Sequence, residues 1–186
     1  MRAVIVLGID PGTHRCGYGV VAREGTRLRV LASGVLSPGP RDLAGRLGEI
    51  LGGLEEIIAR TRPLEASVEA GFSGASPRSA LVLGQARGVA LAAAARAGLA
   101  VYEYAPAEVK LAFTGNGRAD KAQMLRTARL LLGTEPRLSD EADALALAVC
   151  HLARRAVFRA AAPAGQLRAR ALQRLRPARR EHRREP

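Results

Sequence analysis

The chain opens on an uninterrupted apolar run, Ala3 to Gly8, which ends at Ile9-Asp10-Pro11-Gly12. A short run without charge, rich in Val and Ile and closed by Pro-Gly, predicts a buried strand entering a turn. A strand buried on both faces belongs inside a sheet that carries helices above and below. The run also sets a problem at its end. Asp10 leaves the strand beside the core, where a carboxylate is costly unless a cation or donors compensate it. Asp also favours turns, so Asp10 on its own reads equally well as the cap of the Pro-Gly turn.

The rest of the chain supplies the sheet and its covering. Gly17 to Arg23 and Arg27 to Val35 predict two further strands, joined as a hairpin through Glu24-Gly25-Thr26. Leu43 to Arg60 carries Leu47, Ile50, Leu51, Leu54, Ile57 and Ile58 at helical spacing between Pro40 and Pro63. Leu64 to Glu69 predicts a strand, Ser79 to Arg96 an Ala-rich helix closed by Gly98, and Leu99 to Tyr104 a strand. Helices are expected near Ala107–Phe113, Lys121–Leu132 and Asp140–Phe158. Three strands followed by βαβ units imply an α/β domain, one mixed sheet with helices on both faces. That domain is expected over residues 1–159. Residues 160–186 dissolve into Ala, Pro and Arg and read as a flexible basic tail.

The 186 residues carry a formal net charge of +12 with a pI near 11.3, and the excess is shared between the tail and the body. A basic body points to a polyanionic partner, nucleic acid before an anionic membrane surface. Nearly all the basic residues are Arg, and only Lys110 and Lys121 are Lys. Two cysteines make no disulfide framework and fit a reducing compartment. The most apolar stretch, Ser79 to Ala97, is broken by Gln85, Arg87 and Arg96, which speaks against a membrane span. The expected location is the cytoplasm.

Three further carboxylates bear on Asp10. Glu69 ends the strand Ala66-Ser67-Val68. If that strand lies beside the first, two carboxylates meet at the C-terminal ends of neighbouring strands, where open α/β sheets bind their ligands. An ordinary exposed Glu at a strand exit is the competing reading. Asp140 and Asp143 in Ser139-Asp140-Glu141-Ala142-Asp143 share a helix face at i, i+3. Helix capping and the helix dipole account for acidic residues in a first turn as well. Glu141 shares that explanation and points elsewhere. Carboxylates drawn from separate elements of a basic protein fit a hard cation such as Mg²⁺ or Mn²⁺ acting on a phosphodiester.

Four segments occur in order: Gly8-Ile9-Asp10-Pro11-Gly12 through Gly17-Tyr18-Gly19; Val68-Glu69; Leu83-Gly84-Gln85-Ala86-Arg87-Gly88; and Asp140-Glu141-Ala142-Asp143-Ala144-Leu145-Ala146. Together they resemble the RuvC Holliday-junction resolvases over residues 3 to about 158. The resemblance implies an RNase H-like fold with a five-stranded sheet and a homodimer acting on four-way junction DNA. It implies two Mg²⁺ (or Mn²⁺) ions per site held by Asp10, Glu69, Asp140 and Asp143, and paired symmetric nicks in DNA recombination and repair. It also implies a RuvAB branch-migration complex as partner. Lys121 would stabilise charge at the scissile phosphate, and Lys110 would contact phosphate. Phe72 matches a family aromatic at the junction centre. Arg78 and Arg118 complete the expected DNA-binding set with Phe72, Lys110 and Lys121.

The sequence departs from the family pattern after Glu69. Ala70-Gly71-Phe72-Ser73-Gly74-Ala75-Ser76-Pro77 lacks the polar base readers that the family has there. Two weaker signals point to packing. His14, Cys16, Cys150 and His151 lack zinc-finger spacing and read as core residues. Gly84 and Gly88 at i, i+4 predict a close helix contact, at the dimer interface or within the chain. Gly8-Ile9-Asp10-Pro11-Gly12-Thr13 also resembles the phosphate hairpin of actin-like and sugar-kinase-like ATPases, which need two lobes where this length holds one. A catalytically silent DNA-binding module would use the positive field alone.

Overall fold

The computed structural model describes residues 3–70 and 76–161, with side chains described through residue 155. Phe72 and the tail therefore lie outside the described residues. The elements are β1 (Val4–Asp10), β2 (Cys16–Glu24), β3 (Arg27–Leu36), α1 (Leu43–Thr61), β4 (Glu65–Glu69), α2 (Pro77–Arg96), β5 (Ala100–Tyr104), α3 (Pro106–Thr114), α4 (Lys121–Leu132) and α5 (Ser139–Ala161). Residues 1–153 form one compact unit and residues 154–186 another, whose described part is the end of α5.

The five strands form one mixed sheet in the order β3-β2-β1-β4-β5. β1 is central, antiparallel to β2 and parallel to β4, as its unbroken apolar run requires. Successive side chains of β1 enter different cores. Leu7 and Ile9 pack with Val20, Val68 and the buried stripe of α1 (Ile50, Leu54, Ile57, Ile58), joined by Ala90 and Ala93 of α2. Val6 packs with Val21 on the opposite face, against α3, α4 and α5. Helices thus cover both faces. Among the described residues no helix is long and apolar enough to cross a membrane.

The helix ends follow local chemistry. Asp42 caps α1 by accepting the Gly45 N–H at 2.8 Å, and Ser76 caps α2 through the Ser79 N–H at 3.2 Å. Asp120 and Gln123 form a reciprocal capping box at the start of α4. α5 is buried almost all round from Ala144 to Leu152, which suits its Ala- and Leu-rich sequence.

One surface of the sheet is unusually bare. Gly8 pairs with Gly19, and Gly17 pairs with Asp10, across the β1–β2 ladder. α5 rests directly on these glycines. A Cβ on Gly19 would lie 2.8 Å from the Leu145 Cα, and one on Gly8 would lie 2.8 Å from the Ala148 backbone N. A Cβ on Gly17 would collide with the Asp140 carbonyl. The missing side chains let the helix backbone approach the sheet backbone closely, and this brings the start of α5 over the end of β1.

Candidate active site

Asp10 and Glu69 end neighbouring parallel strands. The β1–β4 register closes at Ile9 opposite Val68, so the two acids follow at the same level. Asp140 and Asp143, in the first turns of α5, reach them across the glycine floor. Asp10 feels the other three, and Asp143 acts on Glu69. Asp10 is half-buried, and its carboxyl is pushed up to about 8, first by desolvation and then by Asp143, Glu69 and Asp140. Glu69 is raised by desolvation and by Asp143, against the pull of Lys110. Asp143 is raised by desolvation and by Asp140, opposed by Lys110 and then Lys121. Asp140 faces the guanidinium of Arg15 at 3.9 Å.

The structure thus gathers Asp10, Glu69, Asp140, Asp143, Lys110 and Lys121. Lys110 on α3 is half-buried and opposes both Glu69 and Asp143. Lys121 is exposed at the first position of α4 and acts on Asp143. Arg78, in the first turn of α2, and Arg118, in the α3–α4 link, are both exposed. Glu141 points away from the cluster, as expected. It is buried, and it accepts the Ser33 hydroxyl at 2.7 Å and the Arg137 N–H at 3.0 Å, tying β3 to α5.

Three arginines around the site went unread in the sequence. Arg15 stands in the turn after Asp10. Arg46 of α1 holds that turn from behind, donating to the Thr13 carbonyl at 3.1 Å. Arg87 sits inside the Gln-Ala-Arg-Gly run. Its Nε donates to the Glu69 carbonyl at 3.4 Å and its guanidinium pairs with Glu103 at 2.6 Å, anchoring the ends of β4 and β5. An abundance of Arg hid all three, and only Arg87 had a local signal.

Two packing expectations change. Cys16 and Cys150 are buried, but Cys16 lies in the core beneath α1 and Cys150 in the core beneath α5. His14, expected in the core, is exposed, because the turn after β1 carries it outward. Gly84 and Gly88 make no close contact among the described residues, since a Cβ at either position would meet nothing within 4 Å. They lie on the outer face of α2 with Leu81, which is 67% exposed.

The chemistry of the donor set fits a divalent cation. It is all oxygen, partly desolvated and mutually repulsive, so it calls for more positive charge than two lysines and one arginine bring. Among the described residues, no three His, Cys, Asp or Glu side chains converge into a finished cage.

The family whose sequence pattern is described as crossover junction endodeoxyribonuclease RuvC matches residues 6–151. A protein of that name from Anaeromyxobacter dehalogenans (strain 2CP-1) is 74% identical over 185 residues, covering 98% of this chain and 100% of the relative. One from Heliobacterium modesticaldum is 50% identical over 150 residues, covering 79% of this chain and 93% of the relative. Among solved structures, Thermus thermophilus RuvC in complex with Holliday junction substrate superposes with a TM-score of 0.75. It is 38% identical and covers 82% of this chain and 96% of that one.

Proposed function

The chain belongs to the crossover junction endodeoxyribonuclease RuvC family, and from that membership and the carboxylate cluster we propose how it cuts DNA. It is a nuclease of RNase H-like fold that resolves four-way (Holliday) DNA junctions in recombination and repair. What supports the site assignment is the electrostatic coupling of Asp10 to Asp143, Glu69 and Asp140 at the C-terminal edge of β1 and β4, with Lys110 and Lys121 acting on the same set.

In this reading residues 1–159 are the catalytic domain, and Asp10, Glu69, Asp140 and Asp143 hold Mg²⁺ or Mn²⁺, two ions per site. Bound there, the ions supply an activated water and charge stabilisation for the leaving oxygen. The chain's own side chains do the rest. The carboxylates orient the attacking water and accept its proton. Lys121, exposed at the mouth, meets the scissile phosphate as negative charge builds. Lys110, deeper, balances Glu69 and Asp143 and contacts phosphate. Arg78, Arg118 and Phe72 extend the DNA-binding surface. The basic body draws the junction in.

Resolution needs two symmetry-related cuts, which a C₂ homodimer supplies. The outer face of α2, where Gly84 and Gly88 would let a second backbone approach and Leu81 is exposed, fits that interface. We also propose a cytoplasmic location and a branch-migration complex (RuvAB) as partner, both on the family's account.

The test is a synthetic four-way junction with Mg²⁺. Two symmetric nicks are expected, and Asp10→Asn is expected to bind the junction without cutting it. Normal cutting by that variant would overturn the site. Junction binding without metal-dependent cutting by the parent would overturn the nuclease reading.

A further inference from the structure

α5 carries half of the acidic set, and beyond the Ser33–Glu141 bond the glycine floor beneath its start offers few side chains to fix where along its axis it stops. Packed helices take their register from side-chain ridges seated in grooves. Where α5 crosses Gly8 and Gly17 the contact is backbone against backbone, and at Gly19 the Leu145 side chain joins its backbone. A slip of one residue shifts a helix by about 1.5 Å and turns it by about 100°. Either movement would take Asp143 away from Asp10.

A second feature lies further along the same helix. His151 is buried, at 2% exposure, and its imidazole is held at both nitrogens. Nδ1 shares a hydrogen bond with the Tyr104 hydroxyl at 2.6 Å, and Nε2 shares one with the Glu65 carboxylate at 2.8 Å. Glu65 and Tyr104 are themselves buried. The ring also lies 4.2 Å from that of Tyr102. Glu65 opens β4 and Tyr104 closes β5, so a single ring on α5 is tied to two strands. Tyr104 is also the ladder partner of Glu69, and its carbonyl accepts the Ala70 N–H at 2.8 Å.

Apolar side chains of similar volume often stabilise a core as well as a buried ionisable pair does. What the polar trio adds is direction. Short hydrogen bonds at opposite corners of one ring admit one height and one rotation of α5. We propose that Glu65, His151 and Tyr104 are positioning residues for cutting: they set the axial register of α5 and so hold Asp140 and Asp143 opposite Asp10 and Glu69. His151 lies two turns beyond Asp143, about 12 Å along the helix, a distance a rigid helix transmits. The inference rests on the cutting reaction proposed above.

The experiment replaces the trio with apolar residues of similar size, Glu65→Met, His151→Leu and Tyr104→Phe together. Thermal melting, junction affinity and single-turnover cutting with Mg²⁺ are read on the full chain. Melting and affinity should stay near those of the parent while the cutting rate falls by about 10- to 100-fold, the loss that a misplacement near 1 Å brings. A folded triple variant that cuts at the parental rate overturns the proposal. If the triple variant fails to fold, Tyr104→Phe alone decides. It removes one oxygen atom, and slowed cutting at unchanged affinity supports the register role, whereas a parental rate overturns it. A parent protein that binds junctions without cutting them rejects the nuclease reading, an outcome separate from either of these.

Discussion

Gly17 is at once the ladder partner of Asp10 and the residue on which the Asp140 backbone rests. One position therefore joins carboxylates from opposite ends of the domain, and it does so because it lacks a side chain. Gly17→Ala would drive a methyl group into the Asp140 carbonyl. Overpacking of this kind costs about 1–3 kcal/mol, read as a lowered melting temperature. Cutting should fall by at least about tenfold, since α5 must lift away from Asp10. Parental cutting by Gly17→Ala would show that the close approach is not needed.

The raised carboxyl of Asp10 has a definite sign. Its folded value, about 8, lies above the ordinary 3.8. Its contribution to stability is therefore complete below about pH 3.8 and is lost as pH rises through 8. Without divalent cations, the melting temperature should fall across that window, and Asp10→Asn should melt higher than the parent at pH 8. A cation that binds there displaces the proton, so Mn²⁺ affinity should rise by up to about tenfold per pH unit between 6 and 8. Calorimetric titration checks this, and a flat affinity in the parent would contradict it.

The two lysines should separate by depth. Lys110 opposes both Glu69 and Asp143, so Lys110→Ala leaves more negative charge uncompensated and should lower the Mg²⁺ concentration needed for half-maximal cutting. Lys121 is exposed. Lys121→Ala should slow single-turnover cutting by about 100-fold, the lower end of the range for losing one charge-stabilising group, with only modest loss of binding. An unchanged rate would remove Lys121 from the mechanism.

Leu81 tests the dimer. It is 67% exposed on the face that Gly84 and Gly88 leave bare. Leu81→Asp should give monomers by sedimentation and convert paired nicks into single, uncoordinated ones. A dimer that survives this change would place the interface elsewhere.

The strands and helices were legible because each rests on local pattern. The apolar run of β1, the helical spacing of α1 and the carboxylates Asp10 and Glu69 at strand ends all need only a few neighbouring residues. What stayed hidden depends on register. Nothing near Gly8 indicates that it faces Gly19, or that Ala144 and Ala148 will lie on the one and Leu145 on the other. His151 reads as a core residue, and so it is, but its partners Glu65 and Tyr104 come from two distant strands. Gly84 and Gly88 stay open for the same reason, since their spacing predicts a contact without saying whose. Arg87 stands within a legible motif, while its grip on Glu69 appears only once β4 and β5 are side by side.

The order of elements has a consequence for the cell that makes this protein. Asp10 and Glu69 leave the ribosome early, while Asp140 and Asp143 come with the last described helix, on the order of ten seconds later at ordinary rates of synthesis. Until α5 settles on its bare floor, a nascent or truncated chain holds half a site and has no means to nick. The floor thus acts as a delay, and cutting of chromosomal DNA becomes possible only when translation of the domain is complete.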